Sequence, residues 1–154
     1  MIEFKDVIQT TIAIAGWSLA AFQYWRNELV KRPLVLVEAK RIDPTSAGVL
    51  FTVRNRGPWD VRGRKLDLLA PAHGQFVERD YRMASTPLGR NLALTVRLKA
   101  HASGDFPSIA KNLFVEGLSA SDASVSVRVE MQESRSTWWR RSMITRVSHH
   151  KVKI

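Results

Sequence analysis

The chain contains no cysteine. That excludes disulfide cross-links, a thiolate nucleophile and any metal centre held by thiolates, and it suits a cytosolic domain without requiring one. Acidic residues are scarce beside basic ones, 14 against 24, so the formal net charge is +10. Such an excess points to an anionic neighbour. Length is limited as well: 154 residues hold one compact domain and about 30 residues of anchor or tail, which excludes a large multi-domain enzyme. With 45% hydrophobic and 25% charged residues, disorder along the whole chain is excluded too.

Catalytic and metal-binding patterns are also missing. The histidines are His73, His101, His149 and His150, and none has a carboxylate or a second imidazole at ligand spacing. His149 and His150 are adjacent, so on a strand they point to opposite faces. There is no Gly-x-Ser-x-Gly elbow, no phosphate-binding glycine loop and no paired-carboxylate motif. The expectation is a non-enzymatic chain with no catalytic residue, no metal site and no cofactor.

What is present begins at the N-terminus. Between Asp6 and Arg26 run 19 residues without a formal charge, VIQTTIAIAGWSLAAFQYW, long enough as a helix to cover the roughly 30 Å of a bilayer core. The polar members Gln9, Thr10, Thr11, Ser18 and Gln23 are scattered around the helical wheel, unlike the polar face of a surface-lying helix. Tyr24 and Trp25 precede Arg26 at the C-terminal edge, with Lys31 and Arg32 beyond, the order favoured at a membrane interface. Only Lys5 precedes the run, whereas Arg26, Lys31, Arg32, Lys40 and Arg41 follow it. The positive-inside rule then predicts a single-pass inner (cell) membrane protein with a cytoplasmic C-terminal domain. The competing readings are a buried or docking helix and a cleaved signal peptide; against the latter, Glu3 and Asp6 offset Lys5, so a basic leader is missing. Ala13, Gly16 and Ala20 line one helix face with small side chains, which predicts helix packing and a homo-oligomer through that face.

Pro33 ends helical continuity, and the period then becomes alternating. Leu92, Leu94, Val96 and Leu98 alternate with Ala93, Thr95, Arg97 and Lys99, and Val125, Val127, Val129 and Met131 alternate with Ser126, Arg128, Glu130 and Gln132. These are half-buried strands. Further strands are expected over 34–42, with Val35, Val37 and Ala39 inward, and over 49–54, 66–69, 76–83, 113–118 and 137–147. Turn signals separate them, including Asp43-Pro44, Asn55-Arg56-Gly57-Pro58 and Ser103-Gly104-Asp105. The predicted fold is mainly β: an antiparallel sandwich or small barrel of about eight strands after one N-terminal transmembrane helix. The expected organisation is an anchor and basic juxtamembrane segment over 1–32, a β-domain over 33–148 and a basic tail over 149–154.

The passage Val49 to Leu69, VLFTVRNRGPWDVRGRKLDLL, resembles the strand, Asn-x-Gly turn, strand passage of immunoglobulin-like and fibronectin-type sandwiches of bacterial membrane-anchored proteins. Val53, Asn55, Gly57 and Val61 carry the resemblance. It implies a two-sheet binding or spacer module and supplies no catalytic residues.

Most of the basic excess belongs to the β-domain. From Ser134 to Ile154 stand Arg135, Arg140, Arg141, Arg146, Lys151 and Lys153, without one acid, and Trp138 and Trp139 adjoin Arg140 and Arg141. Trp138, Trp139, Arg140, Arg141, Arg146, Lys151 and Lys153 are the candidate contacts for an anionic lipid or acidic protein partner, or for nucleic acid through phosphate contacts and base stacking. The function predicted from these features is an interaction or sensor module on a membrane anchor. Alternatives are a structural or nucleic-acid-binding protein of a viral or other assembly, and a membrane effector whose β-domain senses a ligand while its helix oligomerises.

Overall fold

The computed structural model describes residues 4–79, 85–102, 104–136 and 140–154. Two compact units result, Met1–Arg32 and Pro33–Ile154.

The first unit is helix α1, Phe4–Val30. Its residues are mostly alanine, leucine, isoleucine and aromatics around a single glycine, so propensity favours the helix, and Pro33 removes Arg32 from helical backbone space. Lys31 N donates to Asn27 O at 3.2 Å and Arg32 N to Leu29 O at 3.3 Å as the last turn tightens. The helix is where the uncharged run places it, yet the membrane span is overturned: no helix among the described residues is long and apolar enough to cross a membrane. Gln9, Thr10, Thr11, Ser18 and Gln23 dilute the run below the hydropathy a crossing needs. The single-pass inner-membrane topology falls with it, and Tyr24, Trp25, Arg26, Lys31 and Arg32 stand at the C-terminal end of α1 and just beyond it.

The second unit is built from β1 (Leu34–Asp43), β2 (Ser46–Arg54), β3 (Asp60–Ala70), β4 (Gln75–Arg79), β5 (Ser85–Gly89), β6 (Asn91–Ala93), β7 (Arg97–Leu98), β8 (Ser108–Glu116), β9 (Ser124–Ser136) and β10 (Arg141–Lys153). One antiparallel sheet has the order β1-β2-β8-β4-β5 and the other β10-β9-β3-β6, with β7 also on β3. Two sheets face each other, and no closed barrel forms among the described residues. The alternation read from the sequence fills the space between them: Val49, Phe51 and Val53 of β2, Leu113 and Val115 of β8, and Val125, Val127, Val129 and Met131 of β9 are buried. Burying that apolar face is what holds the sheets together.

The single strand expected over Leu92–Lys99 is broken into β6 and β7. Its alternate residues Leu94, Val96 and Leu98 are nevertheless buried. The break answers a bulge in β3, whose register against β9 shifts between Gly63 and Lys65. Gly63 N donates to Val96 O at 2.8 Å and Leu94 N to Arg64 O at 3.2 Å. A side chain at position 63 would stand 2.6 Å from Leu94 Cβ, so the close approach of the two backbones needs glycine there.

The Asn-x-Gly turn is a buried polar joint. Asn55 is 1% exposed; its Nδ2 donates to Trp59 O and to Lys99 O, both at 2.7 Å, and its Oδ1 accepts from Gly57 N at 3.1 Å. All of its main hydrogen-bonding capacity is therefore met. At the opposite end of β3, the Arg90 guanidinium gathers the carbonyls of Leu68, Leu69, Pro71, Ala72 and Gly74 around the turn into β4. β10 continues to Lys153, so residues 149–153 complete a strand where a free tail was expected.

Candidate interaction surface

β10 lies at the edge of its sheet, paired to β9 in unbroken register from Arg141 opposite Ser136 to Lys153 opposite Ser124. A strand in that position leaves half of its backbone N–H and C=O groups facing away from the sheet. Its side chains divide by period 2. Ser142, Ile144, Arg146, Ser148, His150 and Val152 turn inward and are half-buried, while Arg141, Met143, Thr145, Val147, His149, Lys151 and Lys153 form an exposed outer row.

The charges of the outer row are not balanced across the strand. Arg141, Lys151 and Lys153 stand opposite Ser136, Ser126 and Ser124. Glu130 stands opposite Val147 and not opposite a cation, 3.9 Å from Arg128, and Asp67, one strand further in, takes Lys65 at 3.0 Å and Arg128 at 3.7 Å. Between the cations stand Met143 and Val147, each 49% exposed. The row therefore carries Arg141 at one end, Lys151 and Lys153 at the other and Met143 and Val147 between them, along an edge that pairs with no further strand among the described residues.

Arg146, counted in the sequence among the candidate contacts, is used differently. It points inward to Glu133, with Nε 2.9 Å from Oε1. Arg135 holds the other oxygen of Glu133, Nε at 3.1 Å and NH2 at 3.0 Å, and its guanidinium lies 5.8 Å from the centre of the Trp59 ring. Glu133 is 2% exposed. It occupies the next inward position of β9 after Met131, so the apolar stripe ends in a carboxylate clamped by two arginines. The sequence signal was legible: Glu133 keeps the parity of Val125 to Met131.

Arg140 and Arg141 are exposed at the start of β10, and Trp138 and Trp139 lie outside the described residues. On α1, Ala13, Gly16 and Ala20 flank a shallow concavity beside Trp17. The residues that sequence reasoning missed are Met143, Thr145, Val147 and His149. Their signal was the period-2 pattern continuing past Val147 to the end of the chain.

The histidines are dispersed. His73 Nε2 lies 3.2 Å from Asp122 Oδ2, which also accepts from Ser119 N at 2.7 Å and Ser119 Oγ at 3.0 Å. Here the serine bonds the carboxylate and not the imidazole, so no base is set to activate the hydroxyl. Asp122 is held below the usual carboxylate range first by the Ser119 backbone hydrogen bond. His150, bonded to Ser148 Oγ at 3.0 Å, has its pKa pushed down by burial, and secondarily by the neighbouring charge of His149. On the outer face of the other sheet a depression of about 360 Å3 has an apolar floor that includes Ile42, Leu50 and Phe114, with Glu38, Lys40 and Asn112 as its polar members. It contains no histidine, serine or carboxylate pair for acid–base or nucleophilic work.

No protein-family model matches the chain, and no curated protein matches it. Among solved structures it is similar to GAE and PapD-like domains, which are immunoglobulin-like β-sandwiches. The GAE domain of GGA2p from Saccharomyces cerevisiae is 9% identical, with 77% of this chain and 87% of that one covered and a TM-score of 0.40. The yeast GGA1 GAE domain is 11% identical over 77% and 90%, with a TM-score of 0.39. The ASH/PapD-like domain of human CEP192 is 9% identical over 80% and 84%, with a TM-score of 0.31. The bacterial membrane-anchored family expected from Val49 to Leu69 is not among these three, and the reading below rests on the residues of this chain alone.

Proposed function

We propose that the chain is a non-enzymatic protein-interaction module whose sandwich binds an acidic, extended protein segment along β10. One observation carries the reading: an edge strand of 13 residues whose exposed row has Arg141 at one end, Lys151 and Lys153 at the other and Met143 and Val147 between them, with all three cations standing opposite serines. An added strand pairs with the open backbone edge while its alternate side chains meet the row, the β-augmentation mode of peptide recognition. Peptide fits better than a polyanion of lipid or nucleic acid, because an alternating Glu and Val strand sets every Glu on the face of Arg141, Lys151 and Lys153 and every Val on the opposite face, that of the half-buried Ile144 and Val152. Electrostatics then set the encounter and the choice of partner.

The test uses a fluorescent peptide of repeated Glu-Val, binding measured by anisotropy with the full chain at graded salt. Expected is saturable binding at low salt that weakens as salt rises, and a loss of at least tenfold in Arg141→Glu/Lys151→Glu/Lys153→Glu. A Lys-Val peptide serves as the control and does not bind. Failure of the Glu-Val peptide to bind at low salt overturns the reading: binding of oligo-dT in its place would assign the row to phosphates, and binding of neither would leave the cations the role of keeping the edge from pairing.

A further inference from the structure

The apolar side chains of α1 include a repeat that the small-residue face does not describe. Ile8, Ile12, Ala15, Leu19 and Phe22 follow one another at spacings of 4, 3, 4 and 3, and Arg26 and Leu29 continue the same steps. That is the 3.5-residue period of a seam between helices, with Ile12 and Leu19 at one alternating position and Ile8, Ala15 and Phe22 at the other. Ile8, Ile12, Leu19 and Phe22 are 44%, 66%, 58% and 54% exposed.

The polar residues beside the seam are prepared for cover. Thr11 Oγ1 donates to Val7 O and Ser18 Oγ to Ile14 O, each at 2.8 Å. Both hydroxyls spend their protons inside the helix, so enclosing them leaves no unmet donor. Gln9, Gly16 and Gln23 flank the other side, uncharged and either flexible or small.

We infer that α1 pairs with α1 of a second copy of this chain along the Ile8–Ile12–Ala15–Leu19–Phe22 seam. A 3.5-residue seam needs an opposing helix with the same repeat, and α1 supplies one to its own copy. Ala15 is the centre of the seam and meets Ala15 of the second copy when the two helices run parallel and in register, with Gly16 beside it permitting close approach. The size is sufficient. Each large seam residue exposes on the order of 100 Å2, and with the flanks the pair removes on the order of 1,200 Å2 in total, the lower bound of specific interfaces.

Sedimentation equilibrium of the full chain tests it, with the melting of the sandwich followed in each variant as a check of folding. Expected is twice the chain mass of 17.5 kDa, at least a hundredfold weaker association in Ile12→Gln/Leu19→Gln, and at least tenfold tighter association in Ala15→Leu, which fills the centre of the seam. Tyr24→Gln and Ala20→Gln lie off the seam and leave the mass unchanged. A monomeric wild-type chain overturns the inference. So does an assembly that survives Ile12→Gln/Leu19→Gln, that Ala15→Leu fails to tighten, or that Ala20→Gln disperses; the last outcome would move the contact to the Ala13, Gly16 and Ala20 face.

Discussion

Replacing Glu133 by glutamine removes one charge and keeps the shape. In the folded chain its two oxygens take Arg146 Nε at 2.9 Å and Arg135 NH2 at 3.0 Å, and the Glu133 side chain is 2% exposed against 19% for Arg135 and 27% for Arg146. Breaking a fully buried pair costs about 3–5 kcal/mol, because a charge is left without a partner in a poor solvent. The two arginines keep part of their surface in water and recover some hydration, which places Glu133→Gln at about 2–3 kcal/mol. Glu133→Ala adds a cavity and costs more. In urea, with a slope near 2 kcal/mol/M for a domain of this size, the midpoint falls by about 1–1.5 M with the slope unchanged. Tryptophan fluorescence and far-UV circular dichroism must report the same midpoint for that arithmetic to hold. A double-mutant cycle with Arg146→Gln separates the pair from its surroundings and should return a coupling of at least about 1 kcal/mol. If Glu133→Gln moves the midpoint by less than about 0.3 M, the carboxylate is solvated in solution and the account of the Glu133 clamp is wrong.

Three further outcomes follow from the same geometry. Asn55→Asp puts carboxylate lone pairs against Trp59 O and Lys99 O, where Nδ2 now donates at 2.7 Å, and should cost at least about 3 kcal/mol by urea titration; a neutral midpoint would refute the buried joint. Gly63→Ala places a Cβ 2.6 Å from Leu94 Cβ and should cost about 1–3 kcal/mol in thermal melting, so an unchanged melting temperature would deny the close approach at the bulge. Two pH effects are separable by titrating stability. His150 has a lowered folded pKa, so its protonation favours the unfolded chain: stability is unaffected above about 6.5 and declines as pH falls from there toward the folded value, a decline that His150→Asn should lack. Asp43 is held down to about 2, first by the Ser46 hydroxyl and then by Thr45; its contribution is present above its ordinary value of 3.8 and disappears as pH falls through about 2, and Asp43→Asn should flatten that acid limb.

The sandwich was legible because burial and period coincide. Val125 to Met131 and Val49 to Val53 alternate cleanly, and each inward residue is buried. The break between β6 and β7 was hidden, because Leu92 to Leu98 alternates as a strand does; its cause is the Gly63 bulge on another strand, a tertiary effect absent from local pattern. The end of β10 was misjudged for a different reason: His149, His150 and the lysines look like a solvated tail, although Ser148, His150 and Val152 keep the inward parity of Ile144. The span was misread because the five uncharged polar residues were weighed by their scatter around the helical wheel and not by what they take from the mean hydropathy. Five uncharged polar residues in α1 hold the helix short of a membrane crossing while leaving the 4-3 seam intact. Of the candidate site, the sequence names the cations but not which of them face out. Arg146 belongs to Glu133, and only the pairing register separates it from Arg141, Lys151 and Lys153.

Protection against edge pairing and recognition of a partner predict different charge patterns, and the edges of this sandwich allow the two to be compared. β6 has 3 residues and β5 has 5, with Pro87 within it; edges that short hardly need guarding. β1 is longer, and its exposed side carries both signs, Glu38 and Lys40, with Leu36 and Ile42 44% and 53% exposed. Mixed charge of this kind lets Glu38 of one copy stand opposite Lys40 of another, so it gives the edge no charge-based selectivity against its own copy. β10 is the longest edge, and it is cationic without a single acid. One sign repels a second β10 and attracts an acidic strand, so the pattern discriminates between partners where the β1 pattern does not. The consequence is measurable. Lys151→Glu, which makes the row mixed, should weaken Glu-Val peptide binding and also relax the repulsion between two β10 edges. If protection were its whole purpose, peptide binding would be absent in both chains.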